Sequence, residues 1–598
     1  MPIHVPADQT TLQAGLDAAS SGDTVLVAPG VYSGPGNHIL SFQGKDLVLL
    51  SEGGRDVTTI DCEGAYRGFV FQNGESRAAV VDGFTIDDAR APNAPGEEFR
   101  GGGALIDGAS PTFLRCRFVR CGPGDDGLDT AGSLFATNGS VRLAECEILQ
   151  SDGGFEGNGA STVLVYGGLI EDCLFRDCVG AAAVYSGSEV LRCRFLSNYA
   201  LDRAAALAAY QSNVKDCEFR NNTTESFFGS APAFGGAVVV SSSTVTDCRF
   251  TQNRVEGYGG ALGASNGAVV SRCEFRANTA GFFFFGAPDY GGGAVCCLGT
   301  SVVDRCLFSG NVAYARGGAL LTRNGVTQAT QCTFAANEAN SFGVPGRGGA
   351  LSIDGGTLLV ERSIIWDNCA DVSANTAWVG TGASLSIDCA DLSELDFDGP
   401  GTWTLGSDVF TEDPFFCAPL TCTSAPTEGG DYGLASNSPC IAPDNGCAPF
   451  LGAFEGSACS AVGACCLPDL QCQILSEDDC FDRGYFQGVG IPCEPDPCDP
   501  ASADIDTSER TSVSVLGNPA SGHVVFAIDA TTSGPAEIRI YDVAGRAIDR
   551  LQHDLSAGRN EIVWRRPNLT GGAVARGVYL YEATASGLRF SGRFQLIP

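Results

Sequence analysis

From Cys116 to Asn368 apolar and polar positions alternate in one recurring phrase, Cys-x-Phe-x-x-Asn or a close variant. The phrase starts at Cys116, Cys146, Cys173, Cys193, Cys217, Cys248, Cys273, Cys306, Cys332 and, with serine in place of cysteine, Ser363. Residues two apart on a strand share a face. The residue between Cys and Phe is often charged (Arg117, Glu147, Arg194, Glu218, Arg249, Glu274), and charge faces water, so Cys and Phe point inward. Successive starts lie 20 to 33 residues apart, the period of a stacked supersecondary repeat. The step varies while the phrase does not, so loops absorb the variation. A second phrase, Gly-Gly-Ala plus an apolar residue, recurs at Gly102–Leu105, Gly235–Val238, Gly259–Leu262, Gly292–Val295, Gly317–Leu320 and Gly348–Leu351. Each repeat therefore reads as strand, turn, strand, turn.

Coils stacked about 4.8 Å apart would align like residues into ladders. One ladder holds the cysteines. A second holds Phe118, Ile148, Phe175, Phe195, Phe219, Phe250, Phe275, Phe308 and Phe334, and a third holds Asn198, Asn222, Asn253, Asn278, Asn311, Asn337 and Asn368 at a turn. The glycine pairs suit tight corners, and the Gly-rich, β-branched and aromatic runs disfavour helix. These phrases resemble the right-handed parallel β-helix of the pectate-lyase-like superfamily, with repeats similar to those of polymorphic outer membrane proteins. The stretch from Ile3 to Tyr32 resembles the usual entry to such helices, with Thr10 or Thr11 capping a short helix whose Leu12, Leu16 and Ala19 cover the open first coil. The resemblance implies an all-β solenoid over residues 1–458, ending near Ser438–Phe454.

Residues 459–500 carry Cys465, Cys466, Cys472, Cys480, Cys493 and Cys498 in a short acidic segment, which reads as a disulfide framework, with a four-Cys zinc site as rival. The ladder cysteines read as small apolar packing, with disulfides between coils as the alternative. Residues 501–598 show short strands at His523–Ile528, Ala536–Tyr541, Asn560–Trp564, Gly577–Ala583 and Leu588–Leu596, a β-sandwich pattern. Its phrases Ile540-Tyr-Asp-Val-Ala-Gly-Arg and Gly577-Val-Tyr-Leu-Tyr resemble the Ig-like domain of flagellar hook-capping proteins and of type IX secretion sorting domains. That likeness implies a sorting or attachment role, although Arg589 and Arg593 stand where such tags commonly carry lysine.

The formal charge is −34, from 36 basic and 70 acidic residues. Such a surface argues against nucleic acid and anionic membranes as partners, and no apolar run is long enough to span a bilayer. The cysteine module argues for export to an oxidising compartment, yet Met1-Pro-Ile-His shows neither the basic start nor the apolar core of a leader.

Candidate chemistry is sparse. Asp125, Asp126 and Asp129 are the best acidic candidates for calcium, and would serve a polysaccharide lyase or glycoside hydrolase of the pectate-lyase-like type. A second acidic stretch spans Asp388, Asp391, Glu394, Asp396 and Asp398. Only His4 and His38 precede the sandwich, which disfavours histidine catalysis within the coils. The outward Arg and Glu at equivalent repeat positions read as charge pairing along the stack. Loops after the Asn alternate long and short, and the long ones carry Phe227, Phe228, Phe282, Phe283, Phe284, Phe285, Tyr290 and Phe342. Aromatic residues recurring at one corner suit a sugar or a protein partner. The sequence thus points first to an exported, non-catalytic, adhesive or structural β-helix without a cofactor, and second to a carbohydrate-active enzyme.

Overall fold

The computed structural model describes Pro2 to Ile597 except residues 93–99, 124–130, 154–160, 203, 227–231, 282–289, 342–343, 442–446, 448–449, 455–458, 460–461, 468–470, 477–479, 481–484, 488–490, 492, 494–511, 517–519, 522–523, 531, 543–545, 557, 565–576 and 586–587. Residues 1–465 with 473–492 form one compact unit, and 466–472 with 493–598 a second.

The first unit is a right-handed parallel β-helix. In one representative coil, Val295–Leu298 belongs to a 14-stranded sheet (sheet 1), Ser301–Asp304 and Leu307–Ser309 to a bent 29-stranded sheet (sheet 2), and Val312–Ala313 to a seven-stranded sheet (sheet 3). Every pairing between successive coils in these sheets is parallel, so equivalent side chains superimpose from rung to rung, as Phe195 on Phe219, Phe250, Phe275, Phe308 and Phe334. Their rings stack 4.7–5.0 Å apart, centre to centre. The cysteine ladder runs beside them, fully buried, and its members are free thiols. The structure thus decides between the two readings of these cysteines in favour of packing. Each thiol bonds to backbone: Cys146 Sγ donates to Phe113 O at 3.4 Å, and Cys193 N–H reaches Cys217 Sγ at 3.4 Å.

The asparagine ladder is continuous. Asn278 Nδ2 donates to Asn311 Oδ1 at 2.9 Å and to Phe250 O at 3.0 Å, while Asn278 Oδ1 accepts from Asn253 Nδ2 and Asn253 N. The same pattern runs from Asn198 to Asn368. The first glycine of each pair takes a left-handed φ, for example 73° at Gly259 and 63° at Gly317. In the first repeat the phrase is shifted by one from its reading above. Gly101 has the positive φ, and Ala104 occupies the register that Val238 and Leu262 occupy later. The triple glycine there fits either frame by sequence alone.

Thr11 caps the helix Leu12–Ala18, accepting from Ala14 N–H, and Leu12, Leu16 and Ala19 enter the core. At the other end the chain folds back over the outside of sheet 2. Phe416, Tyr432, Leu434 and Leu451 cover the outward Leu307, Ala335, Ala336 and Ile364. Disulfides Cys369–Cys422, Cys389–Cys447 and Cys417–Cys459 fasten this segment. None of the three was anticipated, because each joins cysteines outside the six read as the framework, across 42 to 58 residues.

In the module, Cys465–Cys480 and Cys472–Cys493 are disulfides and Cys466 is disulfide-bonded. Cys498 lies outside the described residues. Sulfurs committed to disulfides are not thiolate ligands, so the zinc reading loses its donors. In the second unit, a three-stranded sheet (Ser512–Leu516, Val524–Ala530, Gly558–Trp564) and a five-stranded sheet (Ala520–Ser521, Gly534–Asp542, Ala547–Leu555, Gly577–Ala585, Leu588–Ile597) share one core. Phe526, Ile528 and Trp564 meet Ile538, Ile540, Tyr579 and Tyr581, which makes a β-sandwich. Ser512–Leu516, Ala520–Ser521 and Ala547–Leu555 add three strands to those read from the sequence.

Candidate functional site

Sheet 1 turns one face to the core and the other outward, because its residues alternate. Leu351 and Ile353 are core, so Ser352 and Asp354 point out. Two outward columns result. The first includes Leu105, Phe135, Ala183, Val239, Gly263, Cys296, Leu321, Ser352 and Trp378. The second includes Thr137, Tyr166, Tyr185, Tyr210, Ser241, Ser265, Leu298 and Arg323.

Three tyrosines occupy consecutive rungs of the second column. Tyr166 and Tyr185 stack with centres 4.7 Å apart, and Tyr185 and Tyr210 at 4.8 Å. Tyr166 is 37% exposed. Tyr185 and Tyr210 are half-buried.

Toward the C-terminal rungs the same face becomes cationic. Before four of the glycine pairs a large residue, Phe234, Tyr258, Arg316 or Arg347, sits at the corner where the chain enters sheet 1 and leans over its outer surface. Phe234 covers Gly263, where any Cβ would stand 2.4 Å from its ring, so only glycine fits beneath it. Tyr258 reaches two rungs along to Arg323, whose guanidinium carbon lies 4.2 Å from the ring centre. Arg316 likewise reaches Trp378 at 4.2 Å, and Arg347 lies 5.8 Å from the same ring. Asp354 links the group, 3.0 Å from Arg316 Nη1 and 3.4 Å from Arg323 Nε. Tyr290 packs edge-on against Tyr258 at 5.2 Å. Burial raises the phenol pKa of both tyrosines, which keeps their hydroxyls protonated and able to donate.

Of the aromatic residues named from the sequence, Tyr290 joins this face. Phe227, Phe228, Phe282, Phe283, Phe284, Phe285 and Phe342 lie outside the described residues, as do Asp125, Asp126 and Asp129. The second acidic stretch does not converge on one point. Asp396 accepts from Asn375 N–H and Asp398 from Ser373 Oγ, while Asp391 is buried and accepts from Cys440 Sγ at 3.1 Å and Glu412 N–H at 3.1 Å. Cys389, Asp408 and Cys447 gather their ligand atoms closely, but the two sulfurs are joined to each other. The outward charges pair between rungs: Arg117 with Glu147, Arg194 with Glu218, Arg249 with Glu274, and Arg272 with Asp247 at 2.7 Å.

Sequence reading missed the tyrosine stack and the arginine cluster. The available signal was the residue preceding four of the glycine pairs, which is Phe234, Tyr258, Arg316 and Arg347, together with the strand-ending Tyr166, Tyr185 and Tyr210.

No described helix is long and apolar enough to cross a membrane. A search of curated proteins finds none that matches. Residues 189–390, which carry the regular coils from strand Glu189–Leu191 into strand Ala383–Leu392, match the family model described as a right handed beta helix region.

Proposed function

We propose that the protein is an exported, non-catalytic β-helix that binds an extended polysaccharide along the outer face of sheet 1. The observation that carries this reading is the periodic aromatic column Tyr166, Tyr185 and Tyr210 on one face of a rigid sheet. An extended polymer with its own repeat is the ligand that such a column suits. Tyrosine offers an apolar ring for sugar C–H groups and a hydroxyl for sugar oxygens. Placement on strands rather than loops keeps these contacts fixed, so little ordering entropy is spent on binding. The disulfides of the fold-back segment and the module support an oxidising compartment. In this reading the C-terminal sandwich serves sorting or surface attachment.

The test is isothermal titration of the full chain against a panel of soluble plant, algal and animal polysaccharides. The double variant Tyr185→Ala/Tyr210→Ala should weaken binding at least tenfold with an unchanged far-UV spectrum. Failure of the wild-type chain to bind any member, or an undiminished affinity in the double variant, would remove this assignment. Shortening of the bound polymer over hours would show that the chain is instead an enzyme.

A further inference from the structure

We infer that the C-terminal end of the solenoid, at its last rung Thr402–Leu405, is a docking edge for an extended segment of another protein in which apolar residues alternate with lysine or arginine. This interaction is separate from the glycan reading and does not depend on it.

The core columns of sheet 2 do not close at this end. Trp403 lies in register on Leu385, and Leu405 on Ile387. The residues beneath are 1% and 0% exposed, whereas Trp403 and Leu405, which continue the same columns, are 40% and 39% exposed. Phe397, stacked on Trp403 with ring centres 6.1 Å apart, and Val409 complete the apolar end and are only partly buried. At the opposite end of the solenoid the helix Leu12–Ala18 buries Leu12 and Leu16 over the first coil. A stack of repeats needs such a cap at each terminus, and an uncovered apolar end marks an interaction surface.

The last rung is also free to pair. Thr402–Leu405 pairs with Ala383–Leu392 on one side, and no described strand pairs with its other side. Gly406 N–H donates to Ile387 O. Residues along a parallel strand bond alternately to one neighbour and the other. Thr402 and Thr404 therefore bond to the rung beneath, and Trp403 and Leu405 turn their N–H and C=O groups away from the stack. The strand holds neither charge nor proline, two usual means of blunting an edge.

Charge selects the partner. Residues 363–413 hold ten Asp and Glu and no Lys, Arg or His. Three of these carboxylates rim the last rung. Asp388 leans over Gly406, where a Cβ would stand 1.9 Å from its Oδ1. Asp398 ends the last strand of sheet 1, and exposed Asp408 lies between Leu405 and Val409. They accept hydrogen bonds from Cys389 N–H, Ser373 Oγ and Ser407 Oγ respectively, and none makes an ion pair among the described residues. Arg347 acts on Asp398 only as the least of the influences on its pKa. A second copy of this chain fits poorly, because joining two such ends sets like carboxylates against each other and the helix-capped end offers no edge. An added strand with apolar side chains over Trp403 and Leu405 and cations beside the rim closes the core, pairs the edge and neutralises the charge. Main-chain bonds then give affinity and the alternate side chains give specificity.

The probes are short labelled peptides titrated against the full chain by fluorescence anisotropy, at about 0.05 M and about 0.5 M NaCl, since exposed charge contacts are screened over that range. One alternates valine with lysine, a second valine with glutamate, and a third serine with lysine. The first should bind at least tenfold tighter than either other, and more weakly in high salt. Two N-methylated forms of the first, blocked at the valines or at the lysines, separate strand pairing from charge alone. Blocking one set should weaken binding at least tenfold and blocking the other should leave it unchanged, because only one set can face the edge. Trp403→Ser/Leu405→Ser should weaken binding at least tenfold with an unchanged far-UV spectrum, and Asp388→Asn/Asp408→Asn should weaken it and flatten its salt dependence. Equal binding of the parent and both N-methylated forms, or no binding of the parent, overturns the inference. Dimerisation of the chain alone in sedimentation velocity, abolished by Trp403→Ser/Leu405→Ser, would also overturn it by making a second copy the occupant.

Discussion

Three corner positions recur in the coils, and many are filled by residues other than glycine held in the left-handed region. One column is Arg115, Glu145, Asp172, Arg192, Asp216, Asp247, Arg272, Arg305, Gln331 and Arg362, all with φ between 48° and 56°. Each directly precedes a ladder cysteine or its serine. Here the chain bends within sheet 2 while the inter-coil hydrogen bonds continue. The left-handed conformation costs an L-residue about 1–2 kcal/mol, so the stack imposes it against local preference. Arg305 makes only a loose contact with Asp304, at 3.7 Å. Arg305→Gly should therefore raise stability by about 1 kcal/mol, while the β-branched Arg305→Val should lower it by at least as much. Urea unfolding midpoints of the two variants against wild type check the opposite signs. The asparagine ladder makes the contrary case of a residue that cannot be spared. Asn278→Ala would leave the Asn253 main-chain N–H and one of its two side-chain N–H groups without the Asn278 acceptor, and the Phe250 carbonyl without the Asn278 donor. At about 1–3 kcal/mol for each buried orphan, the loss should exceed about 3 kcal/mol. Asn278→Ser should cost less, because Ser151 already fills an equivalent rung by accepting from Cys121 N–H at 3.3 Å.

Among the elements, the segment folded over sheet 2 has the clearest dependence on pH. Asp391 lies at its base, fully buried, and burial pushes its pKa up to about 7 despite the Cys440 and Glu412 donors. An unfolded aspartate titrates near 4. Between those values the native chain keeps a proton that the unfolded chain has lost, so the contribution is full below about pH 4 and declines as pH rises toward 7. Asp391→Asn should flatten the stability profile across that window and leave the variant more stable than wild type at pH 8. Chemical denaturation at pH 4.5, 6 and 8 measures this, and a wild-type slope that persists in the variant would exclude Asp391 as its source. This element was also the least legible in the sequence. The rungs could be read because Cys, Phe and Asn repeat at fixed offsets and each lands on its own equivalent in the next coil. The fold-back segment has no repeat, and its disulfides join residues 42 to 58 positions apart. The functional face was half legible for a related reason. Its inward residues obey the repeat, whereas Tyr185 or Arg316 varies from coil to coil because nothing in the stack dictates an outward side chain.

For the whole molecule, the two kinds of cysteine imply a division that chemistry can read directly. Fifteen cysteines are free and buried, most of them in the central ladder, while those of the fold-back segment and the module are oxidised. Burial raises the pKa of several of these thiols, to about 12 at Cys121, Cys178 and Cys332, so the reactive thiolate is scarce as well as shielded. Opening the ladder to solvent requires separating coils that share three parallel sheets and a ring stack, which is close to unfolding the solenoid. The native chain should therefore give no reaction with Ellman's reagent under conditions that titrate a small thiol completely, and fifteen equivalents after denaturation in guanidinium without reductant. Because exchange through locally opened states follows their free energy, the reaction rate in sub-denaturing urea should also be the same for ladder cysteines labelled at Cys173 and Cys306. Thiols that react singly in the native state, or a denatured count well below fifteen, would mean that the rungs open independently or that neighbouring cysteines are bridged. A rod that opens only as a unit is the property an outward binding face requires, since the spacing of Tyr166, Tyr185 and Tyr210 is fixed only while the rungs beneath them stay in register.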